Sequence, residues 1–226
     1  LGFRLEGHSP RLVRVPTLGD AADGWRDHDR FALTVEQWPA TAYAAPTRAR
    51  TACLVNGVPG SGKSTLARRL ANELGLPLYR KDAIKEAVAD ALPAELRAGL
   101  AGGQSPLGAG ASRAMWALLA ESPVGGVVES WFWPHDAGHV WAGLAAAGLD
   151  PAAVTEVWCQ APVERARARY TARIAAGERH AIHGADPGDD WWERVAAAPP
   201  LGRGPVLRVD TSRPVTDAEV CRLALA

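Results

Sequence analysis

Thr51-Ala52-Cys53-Leu54-Val55-Asn56 runs directly into Gly57-Val58-Pro59-Gly60-Ser61-Gly62-Lys63-Ser64-Thr65. The first six residues form an apolar run that stops at glycine, the pattern of a buried strand. Gly57 to Ser64 match G-x-x-x-x-G-K-[ST] at every fixed position. From Ser64 to Leu74 apolar residues recur at helical spacing, and Gly75 stops the run. Strand, glycine-rich loop and helix are the setting in which this motif cradles phosphate. Gly57, Gly60 and Gly62 let the backbone curl until successive N–H groups point inward at an anion. The helix that follows offers its N-terminus to the same anion. Lys63 is placed to reach β- and γ-phosphates, and the Ser64 hydroxyl to ligate Mg²⁺. Gly57, Val58, Pro59, Gly60, Ser61, Gly62, Lys63, Ser64 and Thr65 are therefore the expected nucleotide site. The alternative, a tight glycine turn with an incidental lysine, leaves the full match unexplained.

Outward from this loop the chain alternates strand and helix. Leu76–Tyr79, Gly126–Trp133, Val154–Gln160 and Val206–Val209 read as further strands. Helices are expected over Ala83–Leu92, Ser112–Glu121, His135–Ala147, Pro162–Ala176 and Thr216–Leu225. Residues 99–110 are rich in Gly, Ser and Pro and are expected to form a mobile loop. This pattern predicts an α/β protein with a five-stranded parallel sheet and helices on both faces. Such a sheet binds ligands beyond the carboxyl ends of its strands. Residues 1–50 differ: scattered Pro, Gly and charge, a strand-like run at Phe31–Val35, and a linker at Ala44-Ala45-Pro46. They read as an N-terminal extension or subdomain, with 51–226 the main domain. Asp27-His28-Asp29 is expected to be a solvated turn rather than a metal cluster.

Composition narrows the function classes. Hydrophobic residues make up 47% of the 226, enough for one well-filled core. Lys+Arg and Asp+Glu both number 25, which argues against a nucleic-acid or anionic-membrane partner held by bulk charge. No apolar stretch approaches a spanning helix. Cys53, Cys159 and Cys221 are far apart and lie in apolar runs, so buried free thiols in a cytoplasmic protein are expected. The chain opens on Leu1 and holds one Met, Met115, so a natural start upstream is expected. All three lysines, Lys63, Lys81 and Lys85, fall in one short segment.

The phosphate loop and its flanks resemble the P-loop NTPase superfamily. Within it, residues 51–226 resemble the small P-loop kinases: adenylate, shikimate and gluconate kinases, chloramphenicol phosphotransferase and, most closely, AAA_33-type predicted kinases. The resemblance implies a P-loop kinase-like three-layer sandwich that uses ATP and Mg²⁺. It also implies an acidic residue after the second strand, facing the acceptor hydroxyl; here that is Asp82, in Tyr79-Arg80-Lys81-Asp82. Asp82 can also be read as the cap of a helix starting at Ala83. Lys85 reads as a solvated helix residue, with the cleft as the alternative. Glu129 ends an apolar strand where the superfamily carries its second Mg²⁺-organising acid, but Asp is commoner there and an aromatic run follows. Metal and acceptor roles for Glu129 both stay open. Trp131 and Trp133, on one face of the expected strand, suit a sugar platform or plain core.

In the helix from Pro162, Arg165, Arg169 and Arg173 form one stripe. The resemblance makes this helix and the loop after it a lid, with Arg169 beside adenine and Arg173 and Arg179 on phosphate. The alternative is a solvated face paired with Glu164 and Glu178. His180 and His183 lack a third ligand for a metal. The loop Asp210-Thr211-Ser212 is expected to pass the adenine edge. The expected function is a kinase transferring the γ-phosphoryl of ATP to a hydroxyl of a small molecule such as a sugar, aminoglycoside or antibiotic. Lys63, Asp82, Arg173 and Arg179 would be catalytic, and Asp82, Glu129, Trp131 and Trp133 would hold the acceptor. Other readings are a polynucleotide 5′-hydroxyl kinase, a zeta-toxin-like nucleotide-sugar kinase, and a regulatory ATPase whose residues 1–50 engage a protein partner.

Overall fold

The computed structural model of the chain describes residues 4–14, 25–32, 50–100 and 105–225. The chain divides into two units, Leu1–Thr47 and Arg48–Ala226. In the first, β1 (Arg4–Arg14) pairs antiparallel with β2 (Trp25–Ala32), with Leu5 opposite Phe31 and His8 opposite Asp29. Asp27-His28-Asp29 therefore lies on a strand, not a turn, and His8 Nδ1 meets Asp29 Oδ1 at 2.6 Å. Leu5 and Phe31 are exposed. The expected strand Phe31–Val35 is described only to Ala32; residues 33–35 and the linker 44–46 lie outside the described residues.

The second unit runs β3 (Thr51–Asn56), α1 (Lys63–Leu74), β4 (Leu78–Arg80), α2 (Lys81–Ala91), α3 (Ala94–Ala98), α4 (Pro106–Glu121) and β5 (Gly125–Glu129). A 3₁₀ turn (Pro134–Asp136), α5 (Gly138–Ala146), β6 (Thr155–Gln160) and α6 (Val163–Ala175) follow. A second 3₁₀ turn (Ala181–His183), α7 (Asp189–Ala196), β7 (Val206–Asp210) and α8 (Asp217–Ala224) complete it. The five strands are parallel in the order β4-β5-β3-β6-β7. Successive residues of β3 serve opposite faces, as the strand period requires. Cys53 and Val55 pack with Leu66 and Leu70 of α1 and Val220 of α8. Ala52 and Leu54 pack with Met115 and Leu119 of α4 and Val140 and Leu144 of α5. Helices thus cover both faces. The chain leaves β3 toward β4 and β5 on one side and reaches β6 and β7 on the other. The order reverses at β3, and the crevice beyond its carboxyl end is where such a sheet takes ligand.

Several boundaries differ from the sequence reading. Residues 106–110 are the first turns of α4, not loop; Ser105 caps them by accepting from Gly108 N at 3.2 Å, with Pro106 at the first helical position. Residues 101–104 lie outside the described residues. β5 stops at Glu129, so Trp131 and Trp133 are not on a strand. Helix α2 begins at Lys81, before Ala83. Helix α7 went unread although Asp189-Asp190 and the apolar Trp191, Trp192 and Val195 carry its signal. Cys53 and Cys159 are buried, which pushes both thiols up to about 12, whereas Cys221 is only half-buried. No described helix is long and apolar enough to cross a membrane.

Candidate active site

The phosphate loop is closed by glycines no other residue replaces easily. Gly57, Gly60 and Gly62 have φ of 146°, 80° and 92°. A Cβ on Gly60 would lie 2.0 Å from the carbonyl oxygen of Ala166, and one on Gly57 2.7 Å from that of Cys159. The loop is thus wedged against α6 and the end of β6. Gly60→Ala should therefore cost more than the 0.4–1 kcal/mol that a tolerated Gly→Ala change gains, roughly 2 kcal/mol of destabilisation. Chemical denaturation would measure it, and an unchanged midpoint would contradict the wedge. Gly62 caps α1 without a side-chain acceptor, which leaves the first N–H groups of that helix for an anion. Ser61 is fully buried and its Oγ has no protein partner. An orphaned buried hydroxyl inside such a loop fits a phosphate oxygen. Lys63 folds back across the loop, Nζ 3.5 Å from the Val58 carbonyl. Val58 is buried and Pro59 half-buried, and Thr65 is exposed on the first turn of α1.

The next residue reaches the neighbouring strand. Ser64 Oγ donates to Glu129 Oε2 at 3.1 Å, and Arg80 Nε donates to the same oxygen at 3.2 Å. Glu129 is buried at the end of β5. A hydroxyl and a carboxylate side by side at the phosphate loop are the hard oxygen donors Mg²⁺ takes. Arg80, which the sequence reading did not single out, offsets the buried charge. Among the described residues no group of three or more His, Cys, Asp and Glu is disposed to hold a metal.

On the other side stands Asp82, half-buried in the first turn of α2. The N-cap of α2 is Arg80, so the alternative reading of Asp82 as the cap is wrong: the helix starts two residues earlier than expected. Burial alone would raise the Asp82 carboxyl. The charges of His183, Lys63, Lys81 and Arg179 outweigh it and hold the group below the ordinary carboxylate value. Lys85 is not solvated. It is buried, donating from Nζ to the Ile182 carbonyl at 3.2 Å, and burial draws its pKa down. The three lysines that cluster in the sequence thus gather around one carboxylate. His183 Nε2 meets Glu86 Oε1 at 2.8 Å and His180 Nε2 meets Asp90 Oδ1 at 3.0 Å, so these histidines join the loop after α6 to α2. Asp82, Lys85, Glu86 and Asp90 share one face of α2 by spacing, a signal present in the sequence and overlooked.

Two of the three stripe arginines, Arg165 and Arg169, have definite partners. Arg169 donates from Nη1 to Thr211 O and from Nη2 to Ser212 O, both at 2.9 Å; Arg165 Nη1 donates to Ser212 O at 2.6 Å. Both tie α6 to the loop after β7, Arg169 from a half-buried position and Arg165 from an exposed one. Arg169 also approaches Gly62, about 4.0 Å from where a Cβ would stand. Arg179 lies 4.3 Å over the Tyr170 ring, and its buried Nε has no hydrogen-bond partner. Arg173 is exposed. Arg167 pairs with Asp189 at 2.6 Å and Asp186 at 3.5 Å. Trp131 and Trp133 touch edge to face at 5.2 Å between centroids and pack, half-buried, on Val58, Ala166, Tyr170, Trp192 and Val195.

A glycine-rich phosphate loop at the order reversal of a parallel sheet defines a P-loop nucleotide-binding fold. The chain belongs to the AAA_33 family, described as an AAA domain, whose model matches residues 53–186. Shikimate kinases of Caulobacter vibrioides, from strain NA1000 / CB15N and from strain ATCC 19089 / CIP 103742 / CB 15, are each 44% identical over 79 residues. Those residues are 35% of this chain, which spans only 38% of the length of these curated relatives. The crystal structure of a protein ascribed kinase activity, from Chloroflexus aurantiacus J-10-fl, superposes with a TM-score of 0.65 at 29% identity. The match covers 78% of this chain and 97% of that one.

Proposed function

We propose that the protein is an ATP-dependent kinase that phosphorylates a hydroxyl of a small molecule. One observation carries the reading: Asp82, half-buried in the first turn of α2, lies among the charges of His183, Lys63, Lys81 and Arg179, which hold its carboxyl below the ordinary value. A nucleotide switch needs no carboxylate there; a phosphoryl acceptor does. In this reading residues Gly57–Thr65 hold the ATP phosphates, Arg169 and the loop 210–212 border the base, and Ser64 and Glu129 hold Mg²⁺. The metal would neutralise phosphate charge. A carboxylate of low pKa is a weak base, so Asp82 first orients the acceptor hydroxyl. It takes the proton late, as the new P–O bond forms and the bond to the ADP oxygen breaks. Lys63 and Arg179 balance the charge that spreads over the transferring group. Trp131 and Trp133 offer an aromatic face suited to a sugar or other polyol. Residues 51–226 would be the kinase domain and 1–50 a separate extension, in a cytoplasmic protein.

An acceptor library assayed for ADP release with ATP and Mg²⁺ tests this reading. Release only with an acceptor present supports it; equal release without any acceptor overturns it in favour of an ATPase. ATP with Mg²⁺ should also raise the melting temperature, since ligand that binds only the folded state stabilises it.

The arginines should separate. Arg179 sits against Tyr170 beside Asp82, whereas Arg173 is exposed. Arg179→Ala should lower turnover by about 10²-fold or more and Arg173→Ala by less. Amide exchange across 177–190 should slow on adding an ATP analogue with Mg²⁺, more than in α8. Unchanged exchange and unchanged turnover in both variants would leave the segment without a lid role.

A further inference from the structure

A hydrogen-bonded pair behind the site joins three loops that border it. Asn56 is the last residue of β3 and is fully buried; Glu156 on β6 is 2% exposed. Asn56 Oδ1 accepts from Gly57 N at 2.8 Å and from Phe132 N at 3.0 Å. Its Nδ2 donates to Phe132 O at 3.3 Å and to Glu156 Oε1 at 2.8 Å. Glu156 Oε1 also accepts from Leu201 N, and Oε2 from Gly202 N, both at 3.0 Å. Gly57 opens the phosphate loop. Phe132 stands between Trp131 and Trp133. Leu201 and Gly202 belong to the segment between α7 and β7, and α7 packs Trp192 and Val195 against Val58 of the phosphate loop.

Burying a carboxylate costs several kcal/mol unless its oxygens are satisfied. Leu54, opposite Glu156 in the sheet, belongs to the apolar core, so a hydrophobic side chain would suit packing alone. The charge buys direction instead. Glu156 accepts three N–H groups, and these hold the Asn56 amide in one orientation. That orientation presents Oδ1 to Gly57 and to Phe132 together.

We propose that Asn56 and Glu156 are positioning residues for the phosphate loop. They set the distance from that loop to the Trp131–Trp133 wall and couple both to the segment that closes α7. Neither touches nucleotide or acceptor; they act through Gly57 N and the Phe132 backbone. The consequence for nucleotide affinity rests on the kinase reading, whereas the coupling of the three loops does not.

Glu156→Leu keeps much of the volume but removes the acceptor of three buried N–H groups together, the Asn56 amide among them. In the full chain without ligand, amide exchange should accelerate together in 57–62, 130–133 and 200–203, and not in α8. Affinity for an ATP analogue with Mg²⁺, measured by calorimetry, should fall about tenfold or more, since at least one buried donor is left unpaired. Leu119→Ala, a cavity variant at the end of α4 that leads to the amino ends of the strands, serves as the stability control. It should lower the melting temperature without altering affinity. Asn56→Ala removes the amide but leaves Glu156 its two backbone donors, so exchange should accelerate in 57–62 and 130–133 with a smaller effect in 200–203. The proposal is overturned if exchange in Glu156→Leu rises only in 200–203, or if Leu119→Ala loses as much affinity as Glu156→Leu. A wild-type chain that binds no nucleotide would overturn the kinase reading, while the ligand-free exchange pattern would still decide the coupling.

Discussion

Lys63→Ala should remove phosphoryl transfer, by about 10³-fold or more, while the fold survives. The lysine is buried inside the phosphate loop, yet in the structure its ammonium makes one long contact, 3.5 Å to the Val58 carbonyl. Little folded-state energy is therefore lost with it. In the kinase reading, what is lost is a phosphate-loop cation that balances charge developing on the transferring group. Asp82 also loses one of the charges that hold its carboxyl low. ADP release under saturating acceptor reports the first effect, and a melting curve the second. Near-normal turnover with a normal melting curve would contradict the phosphate-loop assignment itself.

Asp82→Asn should be nearly as severe in turnover, about 10²–10⁴-fold, with little change in ATP affinity. Asn keeps the volume but cannot take a proton. Because Asp82 is not the N-cap of α2, helix α2 does not depend on it for a capping bond. Its charge in the first turn contributes only about 0.3–1 kcal/mol through the helix dipole. A turnover loss below about threefold would leave it with the dipole role alone. The sign of the pH dependence follows from the lowered carboxyl pKa. The folded pKa lies below the unfolded one, so the ionised form is complete at neutral pH. The midpoint of its loss lies below the ordinary carboxylate value near 3.9. An acid limb assigned to Asp82 should therefore lie below that value. A limb near pH 6 that disappears in Asp82→Asn would reverse the assignment.

The sequence by itself determined the features whose causes are local. A strand, a loop of three glycines with Lys63 and Ser64, and a helix form one continuous stretch, so the motif and its anion chemistry stand on neighbouring residues. The five strands are legible for the same reason, since apolar runs and turn residues act over a few positions. Edges were misread where a distant group decides them. β5 ends at Glu129, and the next residues leave the strand direction where Asn56, 76 positions away, binds the Phe132 backbone. Lys85 looks like a surface residue by its type, and only the docking of Ile182 on α2 buries it. Glu129 leaves metal and acceptor roles open in the sequence, and only the fold brings Ser64 and Arg80 to one of its oxygens. Strand order, the gathering of three lysines at Asp82, and the Asn56–Glu156 bond across 100 positions were decided by tertiary structure alone. Each depends on which elements pack together, and a buried charge or amide takes its direction from partners that local periodicity does not record.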